Sequence, residues 1–159
     1  MIRKPNRFSR PHKLYDKIRI GDENKLVEEY GLKNKREIWK AEAKVKYFRN
    51  RAKFLITADQ EEQRKFFVKL NSFGLPVKTI ADVLALSKED ILKRRLATIV
   101  WKRGVANTAK QARQLVVHKK ILVAGHVINV PSYIVPIADE QSINLKQKPK
   151  SVKPVEVTA

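Results

Sequence analysis

Cysteine is absent from this 159-residue chain, which removes disulfides and thiolate metal sites from any account of it. Acidic residues are scarce: 16 Asp and Glu stand against 35 Lys and Arg, a net charge of +19. From Arg94 to Ala138 there is no Asp or Glu at all, yet Arg94, Arg95, Lys102, Arg103, Lys110, Arg113, Lys119 and Lys120 all lie there. Cations with no neutralising partner in their own stretch form a one-signed field, which repels itself until a polyanion relieves it. That balance suggests nucleic acid first and an anionic membrane second. Residues 121–138 lack charge of either sign, but Gly125, His126, Asn129, Pro131, Ser132 and Pro136 interrupt the run. Its β-branched content suits short strands better than one spanning helix, so no membrane partner is expected.

Motifs that carry chemistry are missing too. There is no phosphate-binding loop, no Gly-rich dinucleotide turn and no nucleophile elbow. His12, His118 and His126 are scattered, and no His or acid pair has metal-ligand spacing. The basic stretch holds no carboxylate for acid–base work. The expectation is a protein that is not an enzyme, with no cofactor, no metal and no small-molecule substrate. The segment MIRKPNRFSRPHK is basic without an apolar core, so it is not read as a signal peptide.

What remains is enough to fold, with 43% hydrophobic residues. Residues 1–21 read as an extended basic arm, with Pro5 and Pro11 among seven cations. Asp22 is a plausible cap for a short helix that carries Leu26, Val27 and Tyr30 and stops at Gly31. Asn34 and Glu37 form a box-like helix start. Ile38, Ala41, Val45, Phe48, Ala52 and Leu55 then recur at steps of three and four. Much of the rest of that helix is basic, including Arg36, Lys40, Arg49 and Arg51. Such a run is commonly only a solvated face, but with Glu37 and Glu42 as the sole acids it reads here as a contact surface for RNA. Thr57 and Gln60 suggest the next helix start, with Phe66, Leu70 and Phe73 on one face. Residues 57–93 balance six basic against six acidic residues, so they are the surface expected to turn away from a polyanion.

Ser87 and Asp90 open a helix whose stripe of Ile91, Leu92, Leu96, Ile99 and Val100 predicts one continuous rod into the basic stretch. It ends at Lys102, Arg103 and Gly104, cations and glycine where a helix terminus favours them. Thr108 and Gln111 form a second capping box, with Ala109, Ala112, Leu115 and Val116 facing inward. Ile121–Val123, Ala124-Gly125 and His126–Asn129 read as a β-hairpin, and Ile134–Val135 and Ser142–Leu145 as further short strands. Residues 146–159 read as a basic tail.

The order RRLATIVWKRG, TAKQARQLVVHKKI, LVAGHVIN and VPSYIV resembles the RNA-binding module named after small-subunit ribosomal protein four. Upstream, EYGLKNKREIWKAEAKVKYFRNRAK and VLALSKEDILKRRL resemble the archaeal and eukaryotic branch of that ribosomal protein family. The likeness spans roughly residues 22–145. The module also serves as an accessory in RNA-modifying enzymes and a synthetase; the upstream helices make the likeness specific to the ribosomal branch. The resemblance implies a cytoplasmic, ribosome-bound structural protein whose partners are small-subunit, 16S-type rRNA and neighbouring small-subunit proteins. It implies docking at a multi-helix junction near the point where mRNA enters, early in assembly, with a part in decoding fidelity. Bacterial relatives often carry a zinc-ligating cysteine cluster, which this chain cannot form.

The expected architecture is α+β: a helical N-terminal domain over 22–93, then a small RNA-binding module of helices packed on a short-stranded sheet over 94–145. Candidate RNA-binding residues are Arg36, Lys40, Arg49, Arg51, Arg94, Arg95, Lys102, Arg103, Thr108, Lys110, Gln111, Arg113, Gln114, His118, Lys119, Lys120, Asn129 and Ser132. The cations would meet phosphates, and the amides and hydroxyls 2′-hydroxyl groups. Thr108 reads as a helix cap first, and His118 as a polar helix end first. Trp101 reads as packing between the two domains in preference to stacking on a base. The alternatives are an accessory module of an RNA-modifying enzyme and a nonspecific nucleic-acid-compacting protein.

Overall fold

The computed structural model describes residues 8–146, so the expectations for residues 1–7 of the arm and for the tail beyond residue 146 lie outside it. The chain runs α1 (Lys17–Glu29), α2 (Arg36–Leu55), α3 (Gln60–Ser72), α4 (Ile80–Ala85), α5 (Lys88–Lys93), α6 (Leu96–Lys102), α7 (Ala109–Val117), β1 (Ile121–Val123), β2 (His126–Val127), α8 (Ile137–Glu140) and β3 (Asn144–Leu145). The three strands form one antiparallel sheet in the order β2-β1-β3. This is the α+β class that the sequence predicts.

Two hydrophobic cores hold it. The first gathers Leu26, Tyr30 and Leu32, the inner face of α2, Leu70 to Val77, and Val83 to Leu92. The six apolar positions spaced along α2 are all buried, so the helical period alone marks its inner face. The second core packs Leu96, Ile99 and Val100 of α6 against Ala112 and Val116 of α7, with Ile121, Val123, Val135 and Ile143 beneath. Trp101 packs against this second core and does not bridge the two.

Several element starts differ from the sequence reading. The first helix begins five residues before Asp22, because Asp16 caps it through Ile18 and Arg19 N–H groups. Asn34 does not cap α2; Lys35 occupies that position without a side-chain bond, and Glu37 is engaged elsewhere. Thr57 does not cap α3, since its hydroxyl donates back to the Phe54 carbonyl and Asp59 stands at the cap. Ser87 and Asp90 do form the reciprocal box at α5, and Thr79 and Asp82 form another at α4.

The predicted continuous rod from Ile91 to Val100 is broken. The helix ends at Lys93, and Arg95 takes extended geometry with φ −73° and ψ 144°. The break is made from outside: Arg95 forms a β-bridge to Ile134, Leu96 N–H donates to Tyr133 O at 2.7 Å, and Val135 N–H donates to Arg94 O at 3.3 Å. Backbone groups that leave the helix are thus satisfied by the 133–135 segment. That segment supplies this isolated bridge and not the extra sheet strand expected. In the hairpin, Ala124 and Gly125 both have positive φ, 48° and 79°, the geometry of a two-residue turn that matches strand twist.

Two glycines sit where a side chain cannot. Gly31 ends α1 at φ +59°, and a Cβ there would stand 2.7 Å from the Ala109 carbonyl carbon, so α1 ends against the backbone of α7. Gly74 follows α3 at φ +76°, and a Cβ there would lie 2.4 Å from the Arg94 guanidinium. That guanidinium donates to Phe73 O at 2.9 Å, Val135 O at 3.0 Å and Glu140 at 3.0 Å, joining α3, the 133–135 segment and α8. Gly74→Ala therefore combines left-handed strain with displacement of this hub. It is expected to cost roughly 2–4 kcal/mol, read as a shift in urea midpoint; a loss under about 0.5 kcal/mol contradicts the packing described.

Candidate nucleic-acid interface

The site is built on α2, α6 and α7, and on the loop that leads to Ile134. The decisive contact is between halves distant in sequence. Arg113, on α7, donates to Glu37 through both terminal nitrogens, at 3.0 and 2.8 Å. Arg95 donates to the same carboxylate through one terminal nitrogen. A forked, charge-assisted pair of this kind is strong and directional. Glu37 also accepts from Lys33 N–H at 3.3 Å. Burial pushes the Glu37 carboxyl up, but hydrogen bonds from Arg113 and then Arg95 outweigh it and hold its pKa below the ordinary glutamate value.

The basic module is consequently not free of neutralising partners, as its own composition suggested. Glu37 answers Arg95 and Arg113, and Glu140 answers Arg94. Arg95 is only 5% exposed. Arg94 and Arg95 are committed to the fold, and Arg113 keeps a partly exposed edge.

The other candidates divide by place. Arg36 and Lys40 share one face of α2 with Lys44, and the three line a cleft whose other side is Ser132, Pro131 and Ile134, with Arg95 and Arg113 on it as well. Arg49 and Arg51 turn to other sides: Arg49 donates to Leu86 O at 2.7 Å, and Arg51 lies over the Phe54 ring. Lys102 and Arg103 are exposed at the end of α6, where Arg103 reaches Ile143 O at 3.5 Å. Lys110, Gln114, His118, Lys119 and Lys120 are exposed along α7 and just beyond it, as is Asn129 past the hairpin. Lys119 has φ 57°, so it forms the left-handed step that ends α7. Thr108 accepts from Gln111 N–H at 3.1 Å, and the Gln111 side chain accepts from Asn107 N–H at 3.0 Å. Thr108 thus caps, as its sequence position indicates, and Gln111 fastens the preceding loop.

The sequence reading missed Lys33 and Asn34 on the cleft, and counted Lys44 only within the basic face of α2 without singling it out. The four-residue steps Arg36, Lys40, Lys44 were the available sign. Burial in the cleft lowers the pKa of Lys44, although part of its side chain is exposed. Among the described residues no group of three His, Asp or Glu is placed to hold a metal, and no helix is long and apolar enough to cross a membrane.

Comparison with known proteins addresses the family. Residues 94–140 match the S4 domain. Small ribosomal subunit protein uS4 of Methanococcus aeolicus is 46% identical over 133 residues, covering 79% of this chain and 75% of the relative. The chain belongs to the uS4 family. The uS4 of Methanosphaera stadtmanae is 41% identical over 149 residues, covering 89% of this chain and 82% of the relative. That of Methanothermobacter thermautotrophicus is 39% identical over 158 residues, covering 94% and 91%. The uS4 likeness therefore extends well upstream of the S4 domain, over the helices that carry Glu37.

Glu37→Gln leaves both the Arg95 and the Arg113 guanidinium without their shared anionic partner and is expected to cost roughly 2–4 kcal/mol at pH 7. A depressed carboxyl pKa stabilises the fold above the unfolded value, about 4.3, and that contribution is lost as pH falls through the folded value. The stability gap between the native chain and the variant should thus be constant above about pH 5 and close below about pH 4. Denaturant midpoints across that range measure it; a gap unchanged at low pH contradicts the assignment.

Proposed function

We propose that this chain is a structural, non-catalytic component of the small ribosomal subunit that binds small-subunit rRNA. The observation that carries the reading is the pairing of two exposed basic surfaces, one on α2 and one on α6–α7, fastened to each other by a shared, partly buried carboxylate. A junction of several RNA helices offers phosphates to both at once, which a single duplex end does not. Surfaces of this kind read backbone shape and 2′-hydroxyls, not sequence.

Within this reading Arg36, Lys40, Lys102, Arg103, Lys110, Lys119 and Lys120 meet phosphates, and Gln114, His118, Asn129 and Ser132 supply polar contacts. Thr108 and Gln111 hold the start of α7 in position. Arg113 meets RNA with its exposed edge, and Arg94 and Arg95 act by holding the fold. Arg49 and Arg51 face away from the cleft and belong to a second contact, with RNA or with a neighbouring small-subunit protein. The helical part over 22–93 and the module over 94–145 are separate units in folding that act as one in binding. Early docking during assembly, support of decoding fidelity and a cytoplasmic, ribosome-bound location follow from the same role. The reading as an accessory module of an RNA-modifying enzyme finds no support in relatives named as ribosomal proteins across nine-tenths of the chain.

If about six cations neutralise phosphates, the slope of log K against log salt is about −4 to −5, and affinity falls roughly 300- to 1,000-fold between 50 and 200 mM salt. Filter binding to a small-subunit rRNA junction fragment measures it. A nearly flat slope contradicts the proposed electrostatic footprint, and equal affinity for any duplex of the same length favours nonspecific compaction.

A further inference from the structure

Between the first half of α2 and the loop at Pro131–Ile134 lies a cleft of about 380 Å3. Its size falls within the range of small-ligand sites, about 300–1,000 Å3. Lys33, Arg36, Lys40 and Lys44 stand on its α2 side. Among the described residues Lys33, Arg36 and Lys44 form no ion pair, and the nearest acid, Glu37, is already shared by two guanidinium groups. One carboxylate cannot neutralise both, and the Arg95 Nε–H is buried there without an acceptor. Lys44 lines the same cleft, and desolvation there lowers its pKa. The opposite wall is mixed: Arg95 and Arg113, already engaged by Glu37, stand beside apolar residues. Pro131, Ile134 and Ile91 are apolar, and the exposed Ser132 stands at the loop with Asn34 across from it.

We propose that this cleft holds one unpaired nucleotide of the bound RNA, with its phosphate among Arg36, Lys40 and Lys44 and its base against Pro131 and Ile134. The inference rests on the RNA-binding reading above and goes further, because a cationic face alone needs only duplex phosphates. A pocket with cations on one side and apolar residues with a hydroxyl on the other suits a base removed from its stack. The seat exists only while α2 and the module are clasped, since Ser132 and Pro131 come from one half and the cations from the other.

The test uses the isotope-labelled full chain and three probes: adenosine 5′-monophosphate, adenosine and inorganic phosphate. The monophosphate is expected to shift the amide signals of Arg36, Lys40, Lys44 and Ser132 saturably in the millimolar range, at least tenfold more tightly than either part alone. Lys44→Gln should weaken that binding several-fold. Shifts that spread equally over Lys102, Lys110 and the cleft, or that phosphate alone reproduces, overturn the proposal. A second arm uses the rRNA junction fragment. Ser132→Trp obstructs the cleft without changing charge, and its exposed site lets the thermal midpoint verify folding. It should lose about tenfold in affinity at an unchanged salt slope. If Ser132→Trp binds as tightly as the native chain while both keep the steep slope, the cleft is not a nucleotide seat and the RNA-binding reading stands. If the native chain shows neither affinity nor slope, both fall.

Discussion

One carboxylate holds this molecule to its working shape. Glu37 sits near the start of α2 and accepts from Arg95 and Arg113, which lie 58 and 76 residues further along the chain. Ion pairs at a surface are worth little, but this one is largely withdrawn from water. In that setting the pair adds less to net stability than to geometry, because breaking it strands a buried charge while keeping it fixes one orientation. The orientation so fixed is that of α2 against α7, the two basic helices. Gly31 against the backbone of α7 and the Arg94 hub at Phe73, Val135 and Glu140 fasten the same two halves at other points.

The fold thereby sorts its excess cations into two populations. Arg94, Arg95 and part of Arg113 are turned inward, where each meets a carboxylate or a carbonyl. Lysines, together with Arg36 and Arg103, are left outside, along α2, at the end of α6 and along α7. The inward positions all use arginine, because a planar guanidinium can satisfy several acceptors in a fixed fork, whereas an ammonium keeps its hydration at the surface. The outward population repels itself, and docking on a polyanion relieves that cost. The same clasp brings a wall of Pro131, Ser132 and Ile134 to face Arg36, Lys40 and Lys44, so the cleft is a consequence of the joint and not of either half.

Features governed by near neighbours were legible in the sequence. The inner face of α2, the box at Ser87 and Asp90, the Thr108 cap and the Ala124-Gly125 turn each depend on residues within a few positions. Features governed by distant partners were not. Glu37 three residues after Asn34 resembles a capping pattern, and no local reading reveals that its oxygens belong to Arg95 and Arg113. The stripe from Ile91 to Val100 has helical period throughout, yet the helix breaks at Arg94–Arg95 because residues 133–135 offer competing backbone bonds. Asp22 was read as the first cap, but the helix starts after Asp16, where Arg19 reaches Glu23 at 2.7 Å and Trp39 donates to the same buried carboxylate at 2.9 Å. For the site, the basic helices were visible as composition, but the inward commitment of Arg94 and Arg95 and the place of Lys44 depend on the joint.

The central claim is that geometry, and not net charge alone, makes the two basic surfaces act together. Affinity of Glu37→Gln for an rRNA junction fragment, at fixed salt and a temperature where the variant is folded, separates the two. The substitution raises the net charge from +19 by one, so charge alone predicts tighter binding. Loss of the clasp lowers the effective concentration of the second surface once the first has bound, and predicts binding weaker by about tenfold. Weaker binding supports this account; equal or tighter binding contradicts it.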